Sequence, residues 1–384
     1  MSDRVIVVGG GISGVAAAYE LARNGVSVTL LERDELAGMA SGWTLAGVRQ
    51  SGRHPSELPL AAAAVARWPE LAEELEADTE YRQHGNLRLA LAESDVPIIR
   101  DVVAASAAAG IPIEYLDSIE EIHAIAPALT DRIFGASFCP SDGHANPAKT
   151  VLAFAAAAAR HGAEIRTGVE VTAISTSAGK VTGVMTSACP IPADIVIVTA
   201  GIYTPRLLGP LGLNLPLDVR HVPAVQTVPV APMLDQVIGV ASGMFAGRQQ
   251  VDGRFRMTLN GAAWSGGEWH DQYSIQPTMQ QVRDTIEFAV SILPAVREMR
   301  VAQIWGGLLD LTPDALPVIE RSPDIDGLII AAGFSGHGFC LGPITGQIMA
   351  DLAVIGSTEL PIEPFQLSRF AGQSASPESL TLHG

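Results

Sequence analysis

The sequence predicts an α/β fold in which one domain is assembled from separated stretches of chain and a β-rich domain is inserted between them. Three observations predict it. A β–turn–α–β unit opens the chain. Strand-and-helix pairs return in the middle of the chain and again near its end. Between these, residues 215–265 read as several strands separated by Pro and Gly turns. The implied partition is 1–80, 140–214 and 306–384 for the discontinuous domain, with 81–139 and 215–305 forming the inserted one.

Taken in order, Arg4–Val8 is an apolar strand and Gly9–Gly14 a glycine turn. Ser13–Asn24 has helical periodicity and stops at Gly25, and Ser27–Glu32 is a second strand. Helices are expected at 61–77, 95–109, 118–125 and 147–161, with a strand at 86–92. Strands follow at 164–166, 170–175, 180–186 and 195–200. A helix at 278–292, a strand at 327–332, a glycine-rich loop at 333–342 and a helix at 343–354 complete the chain.

Composition narrows the function. Of 384 residues 48% are hydrophobic and only 5% aromatic, which fits a core of Ala, Val, Leu and Ile and excludes disorder. The net charge of −17 repels nucleic-acid phosphates and anionic lipid, so neither is an expected partner. Lys149 and Lys180 are the only lysines, which leaves almost nowhere for a catalytic lysine. Cys139, Cys189 and Cys340 form no CxxC pair, so no metal or dithiol centre is expected. No basic stretch precedes an apolar run at the N-terminus, and no apolar run reaches the ~20 residues of a membrane span. A cytoplasmic protein without a membrane span is expected.

The opening turn carries the chemistry. Gly9, Gly11 and Gly14 form GxGxxG between a strand and a helix. Gly9 permits the tight turn, Gly11 admits a pyrophosphate to the backbone, and Gly14 lets the helix pack on the strand. The helix start then offers free N–H groups to phosphate, and Glu32 ends the next strand where it can accept from ribose hydroxyls. This is a Rossmann-type dinucleotide site. Small residues at Ala40, Ser41, Gly42 and Gly47 would let backbone pass a flat ring system. The loop Gly333-Phe334-Ser335-Gly336-His337-Gly338-Phe339, between a strand and a helix, is a second place for a ligand. One long cofactor touching both ends of the chain suggests FAD.

With these pieces the chain resembles the D-amino-acid oxidase-like flavoproteins, within them the glycine oxidase and sarcosine oxidase type. The resemblance rests on GGGISG with Glu32, ASGWTLAGVRQ at 40–50, DGHANP at 142–147, VTAGIYTPRLL at 198–208, LTPDALPVI at 311–319 and AAGFSGHGF at 331–339. It implies a doubly wound Rossmann-like FAD domain and an antiparallel substrate sheet roofing the flavin. It also implies FAD contacts from Gly9, Gly11, Ile12, Ser13, Gly14, Glu32, Arg33, Ala40, Ser41, Gly47 and Val48. Further along, Val171, Ala200, Gly201, Gly336, His337, Gly338 and Phe339 are implied in the same role. A substrate carboxylate is usually held by an arginine, here Arg49 or Arg53, whose planar fork can grip it bidentately. Arg256 and His270 fall in the roof sheet and can face substrate, and Trp264, Trp269 and Trp305 can line a pocket or pack in the core. His337 reads as a helix-start histidine beside the flavin and His144 as a turn residue.

Departures from the family pattern carry information. Cys340 stands where sarcosine oxidases have a carboxylate-binding lysine, and Gly307-Leu308-Leu309-Asp310 lacks the glycine oxidases' arginine. Gly307 occupies the position of a cysteine that anchors flavin covalently in monomeric sarcosine oxidases, so the FAD here is expected to be non-covalent. The lysine those enzymes use for oxygen activation has no counterpart. The implied reaction is oxidation of the C–N bond of glycine or an N-substituted glycine by hydride transfer to flavin N5, followed by imine hydrolysis. No protein acid or base is required. Oxygen is the expected acceptor, giving hydrogen peroxide, and an N-carboxymethyl amino acid of natural-product assembly is a further candidate substrate. The alternative is an opine, proline, hydroxyproline or D-amino acid dehydrogenase subunit that passes electrons to a partner. A homo-oligomer or partner-subunit assembly suits either reading.

Overall fold

The computed structural model describes residues 3–264, 266 and 275–372. Two large sheets dominate it. The first has six strands, in the spatial order Val318–Arg321, Leu328–Ala332, Ile195–Val198, Arg4–Val8, Ser27–Leu31, Glu164–Arg166. All neighbours are parallel except the Val318–Arg321 edge, which pairs antiparallel with Leu328–Ala332. Parallel strands buried on both faces need continuous apolar runs, and Ile195–Val198 and Leu328–Ala332 are buried throughout.

The helix Ile12–Arg23 is buried from Ile12 to Ala22 and packs against the helices Pro147–Arg160 and Gly338–Val354. Small residues allow this crowding. A Cβ on Gly346 would lie 2.5 Å from the Ala16 Cβ. The one acid on this buried face, Glu20, is met by Arg23 at 2.7 Å and Arg67 at 2.5 Å. Gly25 takes φ +76 just past the helix end, the left-handed turn its position called for.

The second sheet follows the path Ala262–Ala263, Asp218–Pro229, Arg254–Leu259, Phe245–Gln249, Val237–Val240, Asn86–Ala90, Gly135–Cys139, Glu114–Leu116. The strand Val301–Leu311 also pairs with Asp218–Pro229 and runs through residue 306. The sheet is antiparallel apart from the pair Val237–Val240 and Asn86–Ala90. The helix Met279–Ile292 covers one face, packing Ala289 and Ile292 with Leu87, Leu89, Val225 and Met257. It starts with a Thr278–Gln281 capping box, with reciprocal bonds of 2.8 and 3.2 Å. Alternation sends Arg88, Ala224, Arg256 and Thr258 to the opposite face, which roofs a cavity.

Three expectations need correction. The helix expected at 61–77 is Leu58–Arg67, a 3-10 turn Trp68–Glu70 and a single turn Leu71–Glu74. Pro69 has no N–H for the helical ladder, and the chain tightens there. The last helix begins at Gly338, not Pro343. Pro343 lies inside it, and Arg67 and Trp68 donate to Pro343 O (2.9 Å) and Cys340 O (3.0 Å) from outside. His144 is a strand residue, not a turn residue. It is buried and pairs in a short ladder with Gly47.

Among the described residues no helix is long and apolar enough to cross a membrane, and no group of His, Cys, Asp or Glu is arranged to hold a metal.

Candidate active site

A cavity of about 730 Å³ runs from the opening glycine turn to the roof sheet. At one end lie Gly9, Gly11, Ile12 and Ser13, where the helix start exposes its amides. Gly9 takes φ +112, and a Cβ there would sit 2.5 Å from Thr199 O. A Cβ on Gly14 would sit 2.0 Å from Gly9 O, so this residue sets the approach of helix to strand without lining the cavity. Ile12 N donates to Ser41 Oγ at 3.0 Å, drawing the Ala40–Trp43 turn over the glycines. Glu32 braces the turn by accepting from Gly10 N at 2.6 Å and Asp34 N at 2.8 Å. Its carboxylate lines the cavity and keeps lone pairs beyond those bonds for a ribose. Arg33 and Arg206 flank the Tyr203 ring at 4.3 and 5.2 Å, and all three line the cavity with Val171, Ala200 and Gly201. Glycines where a Cβ would collide, a helix start and a wall acid are the fittings that a dinucleotide requires.

At the other end the Gly336-His337-Gly338-Phe339 loop meets the segment 47–57. His337 Nδ1 lies 2.9 Å from Glu57, and both side chains are buried. Burial, with Arg53 beside it, pushes the His337 pKa down, and facing the Glu57 carboxylate its Nδ1 is the donor. Burial opposes the charge on Glu57, but the His337 bond and the Arg53 and Arg49 guanidiniums hold its carboxyl low, at about 2.

Cys340 is behind the wall, where its sulfur receives the Arg49 N–H at 3.3 Å. Burial pushes this thiol up to about 11, so it is neither an anion nor a substrate contact. Val48 also lies behind the wall, while Gly47 lines the cavity.

Arg49 and Arg53 both line the cavity, and the structure adds Arg88, which the sequence reading did not single out. Gly52, at φ +60, lets them converge: a Cβ there would lie 3.2 Å from Arg88 Nη1 and 3.3 Å from Arg49 Nη1. Arg49 donates to Ser51 O at 2.5 Å, and Arg53 Nε to Arg49 O at 3.1 Å. Arg53 Nη1 is buried and has no hydrogen-bond partner. Burial lowers the Arg88 pKa to about 10, with Arg53 adding repulsion, and lowers that of Arg49 in the same way. The nearby buried acid Asp142 is occupied by Gln50 N at 2.9 Å and Ser51 Oγ at 2.5 Å. A signal for Arg88 existed, since Asn-Leu-Arg-Leu-Ala alternates with Arg on the face opposite two leucines. Its convergence with Arg49 and Arg53 is a contact distant in sequence, and no local pattern announces it.

Arg256 lies in the roof sheet and lines the cavity, as expected, and most of its donors are already engaged. It donates to Thr44 O at 2.6 Å and to Gln226 Oε1 at 3.0 and 3.1 Å, and it lies 5.0 Å from the Trp305 ring centre. Trp305 Nε1 donates to Trp43 O at 3.2 Å, and Arg248 Nε donates to Leu45 O. Three consecutive carbonyls of the 43–45 loop are thus held by three side chains of the roof sheet. Arg248 also donates to Ala145 O at 2.9 Å and to His144 Nδ1 at 3.0 Å. His270 and Trp269 lie outside the described residues, and Trp264 is not part of the cavity wall.

A six-stranded Rossmann sheet with a glycine turn at its switch point, facing a cation-lined roof across one cavity, defines a flavoprotein oxidoreductase. The chain belongs to the FAD dependent oxidoreductase (DAO) family, whose model matches residues 4–352. It is similar to a glycine oxidase of Bacillus licheniformis, at 29% identity over 95% of this chain and 96% of that protein. It is also similar to the sarcosine oxidase subunit beta of Rhodobacter capsulatus, at 26% identity over 95% and 88%. Among solved structures, L-proline dehydrogenase from P. horikoshii superposes with a TM-score of 0.88 at 27% identity, over 97% of this chain and 99% of that one. The protein is an FAD-dependent enzyme of amino-acid and amine oxidation.

Proposed function

We propose that the enzyme oxidises the C–N bond of glycine or an N-substituted glycine. The observation that carries this reading is the buried, partnerless Arg53 Nη1 in the cavity wall beside Arg49 and Arg88. A desolvated guanidinium edge of this kind takes a carboxylate through charge-assisted bonds.

With the carboxylate on Arg53, the adjacent CH₂ and the amine extend under the roof. The glycine turn, Glu32 and the 336–339 loop would hold FAD without a covalent bond, and FAD would supply the two-electron acceptor for the substrate's hydride. The chain's own residues orient the substrate and exclude water. The amine lone pair forms the C=N bond as the hydride leaves, and water hydrolyses the iminium to glyoxylate and the freed amine.

A second reading is a dehydrogenase that hands its electrons to a partner subunit. It is favoured by the lysines, which sit on the surface beside Glu80 and Asp326, far from a role at the cofactor. Anaerobic bleaching of the flavoprotein with glycine, sarcosine, bulkier N-carboxymethyl amines, proline and D-amino acids tests both. Bleaching by N-substituted glycines with fast return in air is expected. Bleaching only by proline or D-amino acids with slow return would replace the oxidase reading by the dehydrogenase one. No bleaching by any glycine derivative would end the first proposal.

A further inference from the structure

One row of paired residues crosses the roof through six strands: Arg88, Gly239, Ala246, Thr258, Ala224 and Trp305. Every member lines the cavity. The row has a cation at one end, an indole at the other, and almost no side chain between them. Thr258 turns its hydroxyl to Pro223 O at 2.6 Å, which leaves its methyl for the cavity.

Gly239 has no structural reason to be glycine. A Cβ there would meet only Phe245 O, at 3.6 Å, an ordinary contact. Its neighbour Gly247 differs, since a Cβ there would lie 2.9 Å from the Phe255 ring. Glycine weakens a strand, and where packing does not demand it, it marks close approach by another group. From Gly239 to Ala224 the shallow stretch covers three strand spacings, about 14 Å. At its far end Trp305 has its N–H committed to Trp43 O, so only its ring is offered.

Building on the N-substituted glycine reading, we propose that the preferred substrate is an N-arylalkyl glycine. Its carboxylate sits at the Arg53 and Arg88 end. Its flat apolar substituent lies along Gly239, Ala246, Thr258 and Ala224 towards Trp305.

The test uses the FAD-bound enzyme and two redox-inert analogues, (methylthio)acetate and (benzylthio)acetate, in which sulfur replaces the amine. Binding is read from the flavin absorbance shift. The benzyl compound is expected to bind at least tenfold more tightly than the methyl compound. Gly239→Leu, whose Cβ the backbone accommodates, and independently Ala246→Leu should each cut that preference tenfold or more, with flavin content reporting the fold. Equal binding of the two analogues, or a preference that survives both substitutions, would overturn the proposal. Since neither analogue is oxidised, this outcome is separate from the bleaching experiment, where failure of every glycine derivative sinks the proposed reaction instead.

Discussion

Arg53 and His144 show how burial converts a charge into a constraint. Arg53 offers a buried N–H pair with no internal acceptor. Replacing it by Gln should raise KM for carboxylate substrates tenfold or more, about 1.5–3 kcal/mol of charge-assisted bonding, with a smaller effect on kcat. Steady-state kinetics check this. His144 is buried against Arg248, and burial followed by that charge drives its pKa down to about 2. The unfolded chain takes up a proton below pH 6.5 that the native protein refuses. The stability due to neutral His144 is therefore intact above 6.5 and lost as pH falls below it, at about 1.4 kcal/mol per pH unit. Urea titrations at pH 7 and 5.5 should show this loss in the natural chain and a shallower one in His144→Gln. The sequence offered the role of Arg53 only as one of two alternatives and that of His144 not at all. Arg53 stood beside Arg49 as an equal candidate, and His144 in Asp-Gly-His reads as a turn until Gly47 is seen to pair with it.

At the scale of elements the sequence was far more informative, because periodicity and caps are local. The opening strand, turn and helix were readable within a residue or so, as were the long helices at 147–160 and 279–292. The failures sit at prolines. Pro69 broke a helix that the apolar spacing had carried through, and Pro343 looked like a helix start when the helix had begun at Gly338. The helix runs on through that internal proline, with Arg67 and Trp68 donating to its Pro343 and Cys340 carbonyls from outside, contacts invisible to a local reading. The contact of turn and helix gives an element-level test. Gly14→Ala puts a Cβ against Gly9 O, so the variant should purify without flavin, as the ratio of visible to ultraviolet absorbance will record.

For the whole molecule, the fittings between the two sheets matter most. Arg248, Arg256 and Trp305 hold the 43–45 carbonyls, tying the cofactor side to the roof. Arg248→Met leaves the Leu45 and Ala145 carbonyls without their donor, at a cost of about 3 kcal/mol. Calorimetry should then show a lowered melting point and a separate early transition of the roof, against a single transition expected for the natural protein. The two-body plan was visible in the chain as strand–helix signals interrupted by a β-rich stretch, but the staples between the bodies were not, since each joins residues about a hundred positions apart or more. Arg53 and Arg256, which line the cavity, have no carboxylate within ion-pair reach among the described residues. In effect the chamber is a fixed-site ion exchanger inside a protein of net charge −17. Small anions that reach it, chloride or nitrate, should compete with substrate according to their size and ease of dehydration, while the same ionic strength supplied by a large organic anion should leave turnover untouched.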